Sequence, residues 1–271
     1  MGEEQVLGVT RLINLIFGKP AAALLALLHI KPSNAEYPIP NHIAMELVVF
    51  ALSIAFFLWL KKRMSADRPG ATQQCMEFVL SNPMGVGVKD LLDDIVGHGA
   101  DKHLALLGSI SIFILICNLI GLVPGFSAPT ADKSIPLACA TIVFLYYNFQ
   151  GIVHHGPAGY GMTLMGPVKW IAWLIAPIET ISHFARVLSL TVRLWANMMV
   201  GELLYGSFLG LSVALFIFLG KLNPIGYIAA VVPIGIPLLL IGFHVFEAFL
   251  QAFIFTILPA VYLGFAVSEE H

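Results

Sequence analysis

A few polar side chains stand inside long apolar runs of this chain, and their spacing is informative. Arg193 lies in VLSLTVRLWANMMVGELL, a stretch otherwise apolar enough for a bilayer. Its guanidinium is always ionised, and placing it at membrane depth costs on the order of 2.5 kcal/mol or more. It must meet a counter-charge, water or a polar partner. No carboxylate stands at i±3 or i±4 to pair it locally, so the partner comes from elsewhere in the chain or from another protein. At about 100° per residue, Glu179, Arg186, Arg193 and Asn197 share one helical stripe, flanked by Ser182 and Ser189. Glu202, nine residues past Arg193, points to nearly the opposite face, about 13 Å further along. In the last apolar run His244, Glu247 and Gln251 fall on one face, at i, i+3 and i+7.

Carboxylates and imidazoles set in hydrocarbon are proton-relay candidates by default. Two patches result: Glu179 with Ser182 and Ser189, and Glu202 with His244 and Glu247. Two half-paths separated by a fixed cation suit the transfer of protons to a moving carrier, not a continuous pore. Blander readings stand beside these. Arg186 neutralises Glu179 or Glu202, or snorkels; Glu247 pairs with His244; the serines bond back to their own helix. Asn118, Asn148 and Gln150 tie helices together, and Trp170 and Trp173 anchor an interface beside Lys169.

The positioning elements follow from composition. Of 271 residues, 58% are hydrophobic and 11% charged, where soluble domains carry roughly 25% charge; mean hydropathy is +0.88. The apolar runs are continuous over about 20 residues rather than alternating over about 10. The fold class is therefore an all-α integral membrane protein. A net charge of −2 argues against a nucleic-acid partner. Cys75, Cys117 and Cys139 fit neither a metal nor a disulfide pattern and read as apolar filler. His154 and His155 lack a third ligand and read as solvated loop residues. With no nucleotide loop and no nucleophile constellation, no cofactor is expected.

Five spans are expected. The first runs from about Ile43 to Leu60 and ends on Lys61, Lys62 and Arg63, with Arg68 beyond; this places the next segment in the cytoplasm and the N-terminus outside. Residues 69–102 read as a cytoplasmic surface segment with short amphipathic helices. Spans from His103 to about Pro124 and from Ser134 to about Val153 follow, then HHGPAGYGM as a turn-rich loop. From Pro177, a good first-turn residue, no proline follows until Pro224. That allows about 40 helical residues, or about 60 Å, twice the roughly 30 Å hydrocarbon thickness. Such a helix tilts, bends, or breaks near Gly206 and Gly210. Pro233 and Pro237 precede a last helix to about Val267, interrupted at Pro259, and these last two elements form a long, tilted, antiparallel hairpin. Residues 1–36 read as an apolar surface helix, or as a signal-like segment, and residues 37–271 as one membrane domain.

SLTVRLWANMMVGE closely resembles the signature of subunit a of the F-type ATP synthase, the membrane stator beside the rotating c-ring. FHVFEAFLQAFIFTILPAVYLGFAVSEEH is similar to that family's last helix, and NLIGLVPG and the IET stretch also fit. The resemblance covers about residues 37–271. It implies that Arg193 is the essential arginine facing the ring's carboxylate and that Asn197 is the polar residue one turn on. It further implies an outer half-channel through Glu202, His244 and Gln251, and a cytoplasmic one through Glu179, lined by Ser182 and Ser189. Glu247 lies where an apolar residue is commoner, and Arg186 where some relatives are basic. Implied partners are the c-ring subunits, peripheral-stalk subunit b, the rest of the synthase, the lipid bilayer and protons. The lack of an Arg- and Ser-rich transit peptide favours a bacterial inner membrane. The rival from another class is a secondary transporter or stand-alone channel without a rotor, which often shows inverted repeats; none is evident here.

Overall fold

The computed structural model describes residues 8–27, 37–64, 70–71, 73–74, 77, 87–97, 99–123, 126–163, 169–222 and 231–267. Seven α-helices are bounded among the described residues, with no strand: α1 (Gly8–Leu27), α2 (Asn41–Arg63), α3 (Val88–Val96), α4 (Asp101–Ile120), α5 (Ser134–Thr163), α6 (Ala172–Leu222) and α7 (Val231–Val267). All but α3 are long and apolar enough to cross a membrane. Five of these six are the expected spans; α1 is the sixth. Continuous helix is the physical consequence of a solvent that cannot satisfy backbone groups. Arg68, Cys75, Pro224 and the terminal SEEH lie outside the described residues.

Several expectations about element ends are corrected. Helix α5 does not stop near Val153 but runs to Thr163, turning at Gly156 (φ 73°, ψ 163°), with Pro157 opening the second piece. The HHGPAGYGM segment is thus a kinked helix, because Gly156 supplies the left-handed φ and the proline restarts the helix. Helix α6 starts five residues before Pro177 and covers 51 residues, a path of about 76 Å. Starting upstream forfeits one bond to the Trp173 carbonyl. Neither Gly206 nor Gly210 breaks α6, and neither has a positive φ. Helix α7 likewise includes Pro233 and Pro237 and continues through Pro259 to Val267.

The chain divides into two compact units. The first comprises Met1–Ala55, Ile116–Asp132 and Ala196–Ala248. In it Ile13, Ile39 and Ala44 form a small core with Val9, Ala21 and Val48. The Asn14 amide clamps this core: its Nδ2 donates to the Ile39 carbonyl and its Oδ1 accepts the Ile39 N–H, each at 2.9 Å.

The second unit comprises Phe56–Leu115, Lys133–Trp195 and Phe249–His271. Val143, Tyr147, Tyr160, Leu263 and Ala266 make one core cluster. Leu92, Ala100, Leu107 and Ala260 make another, through which the amphipathic α3 is held down by Leu92. Outside the spans, Lys89 reaches Asp101 at 3.2 Å. That hydrogen bond and charge push the Lys89 ammonium above its ordinary range.

Candidate functional site

In the second unit the first turns of α6 carry Glu179, Ser182, His183 and Arg186. Glu179 Oε1 takes a hydrogen bond from Arg186 Nη2 at 3.1 Å and lies 3.5 Å from His183 Nε2. The Arg186 guanidinium also sits over the Tyr262 ring, 4.9 Å from its centroid. Arg186 is thus an ion-pair partner of Glu179, one of the two roles open to it from sequence. On its other side His183 Nδ1 is 3.1 Å from the Tyr147 hydroxyl of α5. Close by, the Tyr160 hydroxyl donates to Asn148 Oδ1 at 2.9 Å, which ties the two pieces of α5 together across the Gly156 kink.

Arg193 lies two turns beyond Arg186. Its Nη2 approaches Ser189 Oγ at 3.5 Å, the outer limit of a hydrogen bond, and no ion pair engages it among the described residues. Ser189 therefore faces the guanidinium. Back-bonding within α6 falls to Thr180, Thr191 and Ser212, which donate to the Ala176, Val187 and Phe208 carbonyls. Gln251 belongs to the same unit and is buried, with its Oε1 unpartnered among the described residues.

The first unit holds Asn197, Glu202, His244 and Glu247. Here α6 and α7 approach so closely that Gly201 fits against the His244 ring with no room for a side chain. A pocket of about 190 Å³ opens between them, lined by Asn197, Val200, Leu204, Phe243, His244 and Glu247 among others. His244 is buried and its Nε2 has no hydrogen-bond partner among the described residues. Buried polar atoms without partners are rare, and each calls for a reason beyond packing. No ion pair joins Glu247 to His244 among the described residues, although both lie beside Gly201. Glu202 accepts the Ala128 N–H. Beside that loop Thr130 donates to the fully buried Asn118 at 2.6 Å.

Sequence comparison decides what this constellation belongs to. The model of the ATP synthase A chain family matches residues 43–264. The chain belongs to this family. It is 36% identical over 262 residues to ATP synthase subunit a of Koribacter versatilis (strain Ellin345), covering 97% of each chain. It is 40% identical to the subunit a of Solibacter usitatus (strain Ellin6076), over 86% of this chain and 90% of the relative. The subunit a of Desulfosudis oleivorans is also 40% identical, over 85% and 89%. Family membership and six span-length helices make this a multi-pass membrane protein of the ATP synthase. The stand-alone transporter reading loses its footing. The Koribacter alignment is longer than residues 37–271, so similarity reaches into the N-terminal segment, which the motif resemblance had excluded.

Sequence reasoning passed over His183, Tyr147 and Tyr262. A local signal existed for His183, four residues after Glu179 and thus on the same face. Nothing in the sequence links Tyr147 or Tyr262 to that face; their approach is tertiary.

Proposed function

We propose that this chain is the proton-translocating stator subunit of an F-type ATP synthase in a bacterial inner membrane, non-catalytic by itself, with residues 37–271 acting as one membrane domain. Its partners are a ring of c subunits, each presenting a carboxylate, and the peripheral-stalk subunit b. The observation that carries the reading is Arg193: a permanent cation with no ion-pair partner among the described residues. It stands on a helix whose most apolar stretch is only 6% buried, against 28–33% in α2, α4, α5 and α7. A helix left so bare by its own chain has apolar surface for lipid and for a second protein.

In this mechanism a proton enters from outside through Glu202 and His244, with Asn197, Glu247 and Gln251 lining the route. It neutralises a ring carboxylate, which then rotates into lipid without a buried charge. After nearly a full turn the proton leaves through the path of Glu179, Ser182 and Ser189. Arg193 pairs with the ionised carboxylate as it passes and blocks leakage between the two paths. Protonation removes the attraction, so the pair is transient. Glu202, His244, Asn197 and Glu247 fall in one compact unit and Glu179, Ser182 and Ser189 in the other, which supports two separate routes; Gln251, of the outer group, falls in the second unit. The basic end of α2, Lys61 to Arg63, faces the cytoplasm, as does the C-terminus. An outside N-terminus holds with α1 lying in the membrane surface.

The test is ATP-driven proton pumping by the assembled complex in inverted membrane vesicles. Arg193→Ala abolishes it at normal subunit content; wild-type pumping by that variant rejects the reading.

A further inference from the structure

Glu179 is poorly placed to keep a proton that reaches it. Its Oε1 is already held by the permanent cation Arg186 at 3.1 Å. The group next to it, His183, has both ring nitrogens engaged: Nε2 lies 3.5 Å from the same Oε1, and Nδ1 lies 3.1 Å from the Tyr147 hydroxyl. Imidazole is the one side chain that accepts a proton at one nitrogen while a neighbour fixes the other, and it exchanges protons near neutral pH. The His183 side chain is 12% exposed and the Glu179 side chain 37%, so the pair lies at the margin of the protein interior.

From this geometry we infer that His183 is a proton-transfer residue of the cytoplasmic path, oriented by Tyr147. The inference rests on the stator reading above. With the ring proton on Nδ1 and donated to the Tyr147 oxygen, the Nε2 lone pair faces Glu179. A proton arriving on Glu179 Oε1 passes to Nε2: the O–H bond breaks, the N–H bond forms, and the carboxylate returns to Arg186. The imidazolium then gives that proton to water and is neutral again. Arg186 repels the imidazolium, Glu179 attracts it, and the Tyr147 oxygen accepts its Nδ1–H; Tyr160 and Tyr262 are the other titratable groups around the cluster. The opposed charges hold the protonated ring as a transient, which a relay requires. Tyr147 is a positioning residue, and it is itself fixed in the core cluster with Leu263 and Ala266.

The experiment measures ATP-driven pumping by the complete synthase in inverted vesicles, where the external buffer is the cytoplasmic side, across about pH 5 to 8, the range in which imidazole titrates. His183→Gln keeps a polar side chain but cannot carry a proton. The expected result is a lower rate at normal subunit content and loss of the pH-dependent limb on the cytoplasmic side. A wild-type pH profile in His183→Gln, whatever its absolute rate, overturns the inference. Tyr147→Phe keeps the ring packing and removes only the hydroxyl. Should His183→Gln fail to assemble, this variant decides by the same criterion, and an unchanged profile again overturns the relay. Arg193→Ala in parallel separates the two readings: persistent pumping there sinks the stator assignment, while its loss beside a normal His183→Gln profile sinks only the relay.

Discussion

A methyl group on Gly201 would lie 2.6 Å from the His244 imidazole, on both Nδ1 and Cε1. The contact leaves His244 buried against bare backbone, lining a pocket with Asn197 and Glu247, and its buried Nε2 has no hydrogen-bond partner among the described residues. Gly201→Ala must push the ring aside, an overpacking cost of about 1–3 kcal/mol. The expected outcome is reduced proton flux at normal subunit content in vesicles. Flux equal to wild type would show that the ring does not sit there.

Glu202→Gln keeps an acceptor for the Ala128 N–H, so assembly should persist. The amide cannot carry a proton, and ATP-driven acidification of vesicles should slow. Normal rates would remove Glu202 from the path.

Arg193→Lys should also fail or be severely impaired, although charge is formally retained. An ammonium is strongly hydrated, lacks the planar fork and can lose its proton. Coupled ATP synthesis in the reconstituted complex is the measurement, and near-normal synthesis would contradict the role given to the guanidinium.

Gly264 and Gly151 test the second unit. A Cβ on Gly264 would stand 2.9 Å from the Ile95 carbonyl oxygen, a backbone atom that cannot swing away, whereas one on Gly151 would overlap the Tyr160 ring. Both alanine variants should lower the thermal midpoint of the detergent-solubilised protein, by roughly 1–3 kcal/mol of stability each. The Gly151 change should also disturb the bond from Tyr160 to Asn148 across the kink.

Asn14→Ala removes both amide bonds to Ile39, worth about 0.5–1.5 kcal/mol each. Helix α1 should then loosen, and trypsin should cut faster after the exposed Arg11. An unchanged digestion rate would mean that the clamp contributes nothing.

The amino-acid sequence alone determined that this is an all-helical membrane protein, because apolar length and scarcity of charge are one-dimensional properties that a bilayer reads directly. It also determined the polar stripe through Arg193, since helical spacing is local, and the motifs around that residue sufficed to name the family. Helix ends were less legible at Pro177 and Pro259, where proline suggests breaks that a surrounding helix overrides, and at Gly156, where the chain kinks and a second helical piece follows. Only tertiary structure brought His183 to Tyr147, Arg186 to Tyr262 and Gly201 to His244. Each of these contacts joins residues from 36 to 76 positions apart, and no periodicity within one helix encodes which face of another it will meet.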